Sequence, residues 1–361
     1  MESSGIITSN DNYLNHNRNY FLLNGKNRKK DEFYTLYENI EEELSHYKEL
    51  FNNKIVYCNC DNPYHSNFIR YFVVNFNKLH LKKLISTCYS DAYATNKQLS
   101  FLIEEEKKDN NDIPIKSVIT RVSEDLIQDK DNFDIDKIFK LEGNEICQLK
   151  KDGNFSSVEC IEILKESDIV VTNPPFSLFR KFMSVLMKYN KKFLILCNFN
   201  AIGWKDFFPL IKEEKIWVGY HFGGMDFILS DNYKNESNWY SENKKTSDNK
   251  QLMNVSSITW FTNLGEPRYK KNEFIPLVKK YTEEEYPKFD DFDAINVDKT
   301  KDIPKDYDGF MGVPISFMDR YNSDQFEIVG ILSGGASSCF HFGLPNVKGK
   351  TKFIRILIKR K

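Results

Sequence analysis

Short apolar segments that alternate with helical segments constrain the fold of this chain more than any other feature. Each apolar segment is nearly continuous, which is typical of parallel strands that are buried on both faces. These segments are "KIVYCNC" from Lys54, "LKKLISTCY" from Leu81, "DIVVT" from Asp168 and "KKFLILCN" from Lys191. Because crossovers between parallel strands are right-handed, the pattern predicts an α/β fold with a doubly wound, mostly parallel sheet. Ligands bind at the carboxyl ends of the strands in such sheets.

The segments between the strands have apolar residues at helical spacing. Ser66 is placed to cap the first of them, because its hydroxyl can accept a hydrogen bond from a backbone amide at the start of a helix. A further helical pattern begins near Asp31, with acidic residues near its start. The predicted helical segments are "DEFYTLYENIEEELSHYKELF", "SNFIRYFVVNFNKLH", "VECIEILKES", "SLFRKFMSVLMKY" and "WKDFFPLIKEE".

Changes in composition predict the domain boundaries. Residues 1–30 are polar and rich in asparagine, which indicates a disordered lead-in. The strand and helix pattern occupies 31–265 and is interrupted by a charged elaboration at 90–141. The polar stretch 229–254 is predicted to be a mobile loop whose ends are neighbours if the flanking strands pair. From residue 266 the pattern stops, so 266–361 is predicted to form a smaller second region.

Composition excludes several classes of protein and site. The 361 residues include no apolar run near the ~20 residues that span a bilayer, and the N-terminus lacks the apolar core of a signal peptide. We therefore expect a cytoplasmic protein that does not bind membranes. The seven cysteines are scattered without the spacing of a zinc site, so we expect buried thiols and no metal. The oligomeric state stays open.

The most specific motif is the turn Asn173-Pro174-Pro175-Phe176, which directly follows the strand-like "DIVVT". The prolines have nearly fixed φ angles and no amide hydrogen, and Asn173 is extended because a proline follows it. The turn therefore presents the side chain of Asn173, the carbonyl of Pro174 and the ring of Phe176. The two acceptors and the ring suit a planar group with an NH2, whose nitrogen they can prepare to act as a nucleophile. A plain strand-to-helix stop would need only one proline.

This motif and several further segments resemble those of a known family, the EcoRI-type adenine-specific methyltransferases that use S-adenosylmethionine. The similarity covers most of the chain from Asp31 to Lys361. It implies a Rossmann-like class I methyltransferase sheet with an antiparallel last strand, a catalytic domain over 31–265 and a target-recognition region over 266–361. It also implies that Asn173, Pro174, Pro175 and Phe176 are catalytic. The similar segments include "KIVYCNCDNPYHSNF", "DGNFSSVECIEILKESDIVVTNPPFSLF", "GVPISFMDRYNSDQFEIVG" and "FIRILIKRK".

The resemblance also implies a set of cofactor-binding residues, drawn from four segments of the chain. Two features depart from the usual pattern, because the loop after the first strand has no glycine and the acid nearest the end of the second strand is Asp91. Phe33 and Tyr34 have a simpler explanation as helix-entry packing, and Asp61 and Asp152 as turn formers. The implied set is Phe33, Tyr34, Thr35, Asn59, Cys60, Asp61, Pro63, Ser66, Thr87, Asp152 and Phe155.

The implied activity is transfer of a methyl group to N6 of an adenine that leaves the helix of duplex DNA. The net charge of −1 excludes a polycation, so DNA would meet local basic patches. The implied partners are double-stranded DNA and, without a stable complex, a cognate restriction endonuclease. The alternatives are a methyltransferase for a protein glutamine amide or for RNA adenine, and an inactive nucleic-acid-binding relative. The expected phosphate contacts are Arg268, Lys270, Lys359, Arg360 and Lys361.

Overall fold

The structure is a computed structural model that describes residues 33–88, 114–229, 252–334 and 340–361. The predicted lead-in 1–30 and most of the predicted loop 229–254 lie outside these residues. None of the described helices is long and apolar enough to cross a bilayer. The chain divides into two compact units, which are described separately. The first takes the described residues within 1–41, 51–191 and 226–255, and the second takes the rest.

The first unit contains a mixed α/β fold, as the sequence predicted. Its strands are β1 (Phe33–Thr35), β2 (Ile55–Cys58), β3 (Lys83–Thr87), β4 (Ile115–Ile119), β5 (Glu145–Gln148) and β6 (Ile169–Thr172). Its helices are α1 (Tyr37–Leu44, of which 42–44 belong to the second unit), α2 (Asn67–Val74), α3 (Ile135–Phe139), α4 (Val158–Glu166) and α5 (Phe179–Lys188).

The centre of the sheet in this unit is parallel. The strand order is β6-β2-β3-β4-β5, and β2 runs parallel to both β6 and β3. Every residue of β2 and β6 is buried, which explains why their sequences are apolar without alternation. β4 is antiparallel to β3 and β5, so the 90–141 segment contributes the strand next to the edge strand β5.

Local sequence signals place the helices of this unit well. The Ser66 hydroxyl accepts a hydrogen bond from the amide of Phe68 at 3.1 Å, so Ser66 is the predicted N-cap of α2. In α5 the buried face is the predicted one, formed by Phe179, Phe182, Met183 and Leu186. Four of the described cysteines are buried, namely Cys58, Cys88, Cys160 and Cys197.

The helix predicted from Asp31 to Phe51 is wrong at its start, whereas Tyr37 to Phe51 are helical. Phe33–Thr35 form β1, which pairs antiparallel with 227–229, and Ser45–Phe51 form a 3-10 helix. Pairing with a distant strand overrides the helical spacing at the start, because strand formation depends on cross-strand neighbours more than on local propensity. Phe33 and Tyr34 therefore belong to a strand rather than to a helix.

The second unit contains the remaining strands and a second sheet. β7 (Lys192–Asn198) pairs antiparallel with β9 (Leu252–Thr262), and β8 (Trp217–Leu229) is the neighbour of β9. The strands that flank the predicted loop are thus sheet neighbours, as expected. Residues 226–229 and 252–255 of these two strands belong to the first unit. The helices are α6 (Phe208–Lys212) and α7 (Phe317–Arg320).

The second sheet lies within the predicted region 266–361. Its strands are β10 (Ala294–Asn296), β11 (Phe310–Pro314), β12 (Phe326–Leu332) and β15 (Arg355–Arg360), in the order β10-β11-β15-β12. The basic C-terminal segment is a central strand here, and 355–358 are buried. A separate hairpin joins β13 (Asn346–Val347) to β14 (Lys350–Thr351).

Candidate active site

The Asn-Pro-Pro-Phe turn lies at the carboxyl end of β6, in the first unit. Asn173 and Pro175 are half-buried, whereas Pro174 and Phe176 are buried. The carbonyl of Pro175 accepts a hydrogen bond from the amide of Leu178 at 2.9 Å, which begins a short 3-10 helix that continues into α5. The turn therefore has the stiff, donor-poor backbone that its two prolines predict.

The ring of Phe176 is more enclosed than the sequence suggested. Only 2% of this residue is exposed, and it is among the largest fully buried side chains of the described chain. A planar group could stack on this ring only after the groups that cover it move. The turn thus presents the half-buried residue Asn173 and the ring of Phe176, which other groups cover.

Asp61 joins the loop after β2 to the end of β6, directly before the Asn-Pro-Pro-Phe turn. One oxygen of its carboxylate accepts a hydrogen bond from the Ser66 hydroxyl at 2.6 Å, and the other accepts one from the Thr172 hydroxyl at 2.6 Å. Asp61 is buried, and Thr172 directly precedes Asn173. These two hydrogen bonds connect the loop after β2 to the adjacent parallel strand β6, and we call this connection the brace. Asp61 therefore does more than form a turn.

Burial raises the pKa of Asp61 from its ordinary value near 3.8 to about 6. The hydrogen bonds from Ser66 and Thr172 act in the opposite direction, because they stabilise the charged carboxylate. The brace therefore gains or loses a charge in the mildly acidic pH range.

The end of β3 supports the same loop. The carbonyl of Thr87 accepts the amide hydrogen of Asp61 at 3.1 Å, and the Thr87 hydroxyl lies 2.8 Å from the hydroxyl of Tyr57. Asn62 sets the next turn, since its side chain accepts a hydrogen bond from the amide of Tyr64 at 2.8 Å. Side chains thus fix a loop that lacks glycine. Cys60 is half-buried and Pro63 is buried, and both lie in this loop beyond β2.

At the carboxyl ends of β1 and β2, two buried side-chain oxygens have no hydrogen-bond partner among the described residues. They are Oδ1 of Asn59, directly after β2, and Oγ1 of Thr35, at the end of β1. The side chain of Asn67, at the start of α2, donates to the carbonyl of Thr35 at 2.8 Å, so β1 is tied to the helix that follows the loop. A buried oxygen without a partner is unfavourable by about 1–3 kcal/mol, which a bound donor would offset. Both residues belong to the predicted cofactor set.

The turn at Asp152 lies against the end of β3. Gly153 has φ +70°, and a Cβ added there would lie 2.2 Å from the carbonyl oxygen of Cys88, so only glycine fits. Asp152 is exposed and accepts a hydrogen bond from the amide of Asn154 at 3.0 Å. Phe155 is buried and packs edge-on against Phe182, with 5.1 Å between ring centroids. Phe155 is therefore part of the core in this structure.

The expected phosphate contacts lie in the second unit and differ in their surroundings. Arg268 donates to the Tyr220 carbonyl and to Asp319, with 12% of its side chain exposed, so its guanidinium is used within the protein. Arg360 pairs with Asp308, which is exposed. Lys270, Lys359 and Lys361 are exposed.

Two buried residues that make notable hydrogen bonds, Thr172 and Glu43, were not identified from the sequence. Thr172 carries the brace to Asp61, and its position directly before the motif was the available signal. Glu43 is a buried carboxylate in the second unit that accepts the amide hydrogens of Tyr220 and His221 at 2.9 and 2.8 Å. Burial raises the pKa of Glu43 to about 7. Across the described ranges, no group of His, Cys, Asp or Glu is placed to hold a metal ion.

Comparison with known proteins connects this geometry to a family. Residues 21–361 match the family model described as adenine-specific methyltransferase EcoRI. The Type II methyltransferase M.EcoRI of Escherichia coli is 41% identical over 352 residues, which cover 95% of this chain and 97% of that protein. M.MgeORF184P of Mycoplasma genitalium is 35% identical over 351 residues, with coverage of 93% and 97%.

A relative from a second mycoplasma species is similar over almost the same length. The Type II methyltransferase M.MpnI of Mycoplasma pneumoniae is 34% identical over 359 residues, covering 95% of this chain and 98% of that protein. No solved structure matches the chain significantly. The family match spans both units of the fold, including the braced turn after β6. The chain therefore belongs to the EcoRI-type family of adenine-specific methyltransferases.

Proposed function

We propose that this protein is a site-specific DNA methyltransferase that transfers a methyl group from S-adenosylmethionine to N6 of an adenine in duplex DNA. The observation that carries this proposal is the Asn173–Phe176 turn at the end of a buried parallel strand, braced by Thr172 and Asp61. The relatives are named Type II methyltransferases, which supports a modification enzyme of a restriction-modification system or one that acts alone. A cognate endonuclease would share its DNA site without a stable complex.

The proposed architecture is a Rossmann-like class I methyltransferase. Residues 31–265 would form the catalytic domain, and 266–361 would form the target-recognition region. The parallel centre of the first unit and the antiparallel pairing of β9 with β7 support this assignment. The second sheet, formed wholly by residues beyond 266, supports a separate role for the C-terminal region.

The cofactor would be held by the loop after β2 and its neighbours. Asn59 Oδ1 is a buried acceptor without a described partner, and it fits the ammonium group of the methionine part. Thr35 offers a hydroxyl that can donate to the carboxylate of the same part. When bound, S-adenosylmethionine supplies an electrophilic methyl group on a sulfonium. Thr87 and Asp61 act by fixing the loop, and Asp152 remains available for the adenine ring of the cofactor.

The catalytic turn would position the target amine. The side-chain oxygen of Asn173 and the carbonyl of Pro174 accept its two hydrogens, so its lone pair faces the methyl carbon. With the donor bound, a C–N bond would form there as the donor's C–S bond breaks, and the nitrogen would then release one proton to solvent. No nucleophilic side chain is needed. Positioning would therefore supply much of the rate.

Base capture would require a change at Phe176. An extruded adenine loses its stacking, which costs a few kcal/mol, and an aromatic ring recovers ~1–3 kcal/mol. Because only 2% of Phe176 is exposed, its cover must open before an adenine can stack there. DNA binding would favour that opening, since only the open form offers the ring.

Exposed cations in the second unit would hold the DNA backbone. Lys270, Lys359 and Lys361 are exposed and suit phosphate contacts. Arg360 could exchange its exposed partner Asp308 for a phosphate. Arg268 would act by supporting this surface, because its guanidinium is already bound within the protein. Such contacts predict that binding weakens steeply with salt.

The proposal is tested by incubating the purified protein with labelled S-adenosylmethionine and either duplex DNA, RNA or a protein extract. Label should enter DNA, and sequencing of modified adenines should show one recognition site. Asn173→Ala should lower the rate on the order of 100-fold or more, whereas Asn254→Ala, at an exposed position of β9, should not. Label in RNA or in protein glutamine would favour those substrates instead. No label in any pool, with cofactor binding intact, would indicate an inactive relative.

A further inference from the structure

The hairpin β13–β14 and its flanks form a short two-stranded ribbon, residues 344–353, in the second unit. Asn346 pairs with Thr351 and Val347 with Lys350. The two residues of the tip, Lys348 and Gly349, have φ of +48° and +72°, as in the tight turns that suit the twist of paired strands. The amide of Lys352 donates to the carbonyl of Pro345 at 2.9 Å, which continues the pairing toward the base.

The ribbon is anchored to the second unit before any partner binds. The carboxylate of Asp290 accepts the amide hydrogens of Lys348 and Gly349, each at 2.8 Å. The amide of Asp290 donates to the carbonyl of Asn346 at 2.8 Å. Val347 is buried in a cluster with Leu332 and Leu357. A ribbon held in this way loses little conformational entropy when it binds.

The ribbon exposes apolar side chains at its base and cations at its tip. Phe353 is 81% exposed and Leu344 is 45% exposed, the former being the most exposed large apolar residue of the described chain. Lys348 and Lys350 are exposed, and neither forms an ion pair with any described residue. Lys352 lies 3.4 Å from Asp298. An exposed aromatic side chain and two lysines without ion pairs on one short ribbon suit a polyanion with apolar edges.

Most acidic residues near the ribbon already bind a partner within the second unit. Asp290 binds the two tip amides, and Asp293 pairs with Lys288 at 2.7 Å. Asp298 accepts from the buried Arg355 at 3.0 Å. Asp291 is exposed in the segment that follows Asp290. Asp290 keeps its negative charge at the tip, so Lys348 and Lys350 together leave an excess of one positive charge there.

We propose that the ribbon 344–353 enters a groove of the duplex, with Lys348 and Lys350 on phosphates and Phe353 against base edges. A two-stranded ribbon fits the major groove, where thymine methyl groups offer apolar contacts. This inference rests on the proposed DNA substrate and adds a site outside the phosphate contacts expected from the sequence. It places part of target recognition on the ribbon.

The phosphate part is tested by fluorescence anisotropy with a labelled random-sequence duplex at several salt concentrations. The double variant Lys348→Ala/Lys350→Ala should weaken binding roughly tenfold and lower the salt slope by about 2. The control Lys301→Ala/Lys305→Ala removes two exposed lysines from the same unit and should retain the wild-type slope. Equal slopes for both double variants would overturn the proposal.

The apolar part is tested with Phe353→Ala, matched by Phe274→Ala, which is 59% exposed elsewhere in the same unit. We expect Phe353→Ala to raise the KM for methylation of genomic duplex DNA about fivefold, with the salt slope unchanged. An unchanged KM would remove Phe353 from the interface. If the wild-type protein methylates DNA but ribbon variants bind like their controls, only this inference fails. If the wild-type protein neither binds nor methylates DNA, the proposed function fails as well.

Discussion

Replacing Asp61 with asparagine should change how stability depends on pH, because this buried carboxylate titrates differently in the folded and unfolded chain. Its folded pKa is about 6, compared with an ordinary value near 3.8. Between these values the folded protein holds a proton that the unfolded chain has released. Stability from this group is therefore complete below about pH 4 and is lost as the pH rises through about 6.

The expected magnitude follows from the size of the shift. About two pKa units correspond to about 3 kcal/mol at 1.36 kcal/mol per unit. Asparagine keeps an acceptor for one hydroxyl and offers donors to the other, so the Ser66 and Thr172 contacts can persist without charge. Asp61→Asn should thus gain about 3 kcal/mol of unfolding free energy relative to wild type between about pH 4 and about pH 8.

The assay is urea denaturation of both proteins at the two pH values. Glu43, with a pKa of about 7, is present in both proteins, so its titration cancels in the difference. If the free-energy difference between Asp61→Asn and wild type is the same at both pH values, the carboxylate is not titrating as the brace requires. A variant that is less stable at both values by the same amount would mean that only hydrogen bonds, not charge, matter there.

Three further predictions concern the same site. Phe176→Leu should keep the fold, since leucine retains apolar bulk, but it should weaken capture of the adenine and raise the KM for DNA. Phe176→Tyr should be tolerated. A wild-type KM for the leucine variant would refute stacking. Thr172→Val should lower kcat more than the control Thr262→Val. The control removes an equally buried hydroxyl, which bonds to a carbonyl at 2.7 Å. Equal kcat values for the two variants would contradict the brace. Asn59→Ala should reduce the thermal shift that S-adenosylmethionine produces, and an unchanged shift would exclude the Asn59 oxygen as a cofactor contact.

The parts of the fold that follow from local signals were predictable. The buried strands β2, β6 and β7, the capping serine of α2 and the apolar face of α5 depend on composition and spacing within a few residues. The stiff turn after β6 depends on two prolines in sequence. Each of these appears in the structure close to where the pattern placed it.

The parts that depend on distant contacts were not predictable. β1 is a strand only because it pairs with 227–229, and β4 lies in a charged segment with weak alternation. The basic C-terminal segment became the central strand of the second sheet, where Arg355 is buried against Asp298. The contact between Asp61 and Thr172 joins residues 111 positions apart, so no spacing rule could show it.

The brace also explains how a turn with so few donors can be held in place. Pro174 and Pro175 have no amide hydrogen, so neither residue can donate a backbone hydrogen bond that would fix the turn. The hydroxyl of Thr172, directly before Asn173, donates a hydrogen bond to the carboxylate of Asp61 in the loop after β2. The residues that would grip the target amine are therefore tied to the loop that would hold the methyl donor. Because in-line transfer tolerates little misplacement, this shared anchor would matter more for kcat than for binding either substrate.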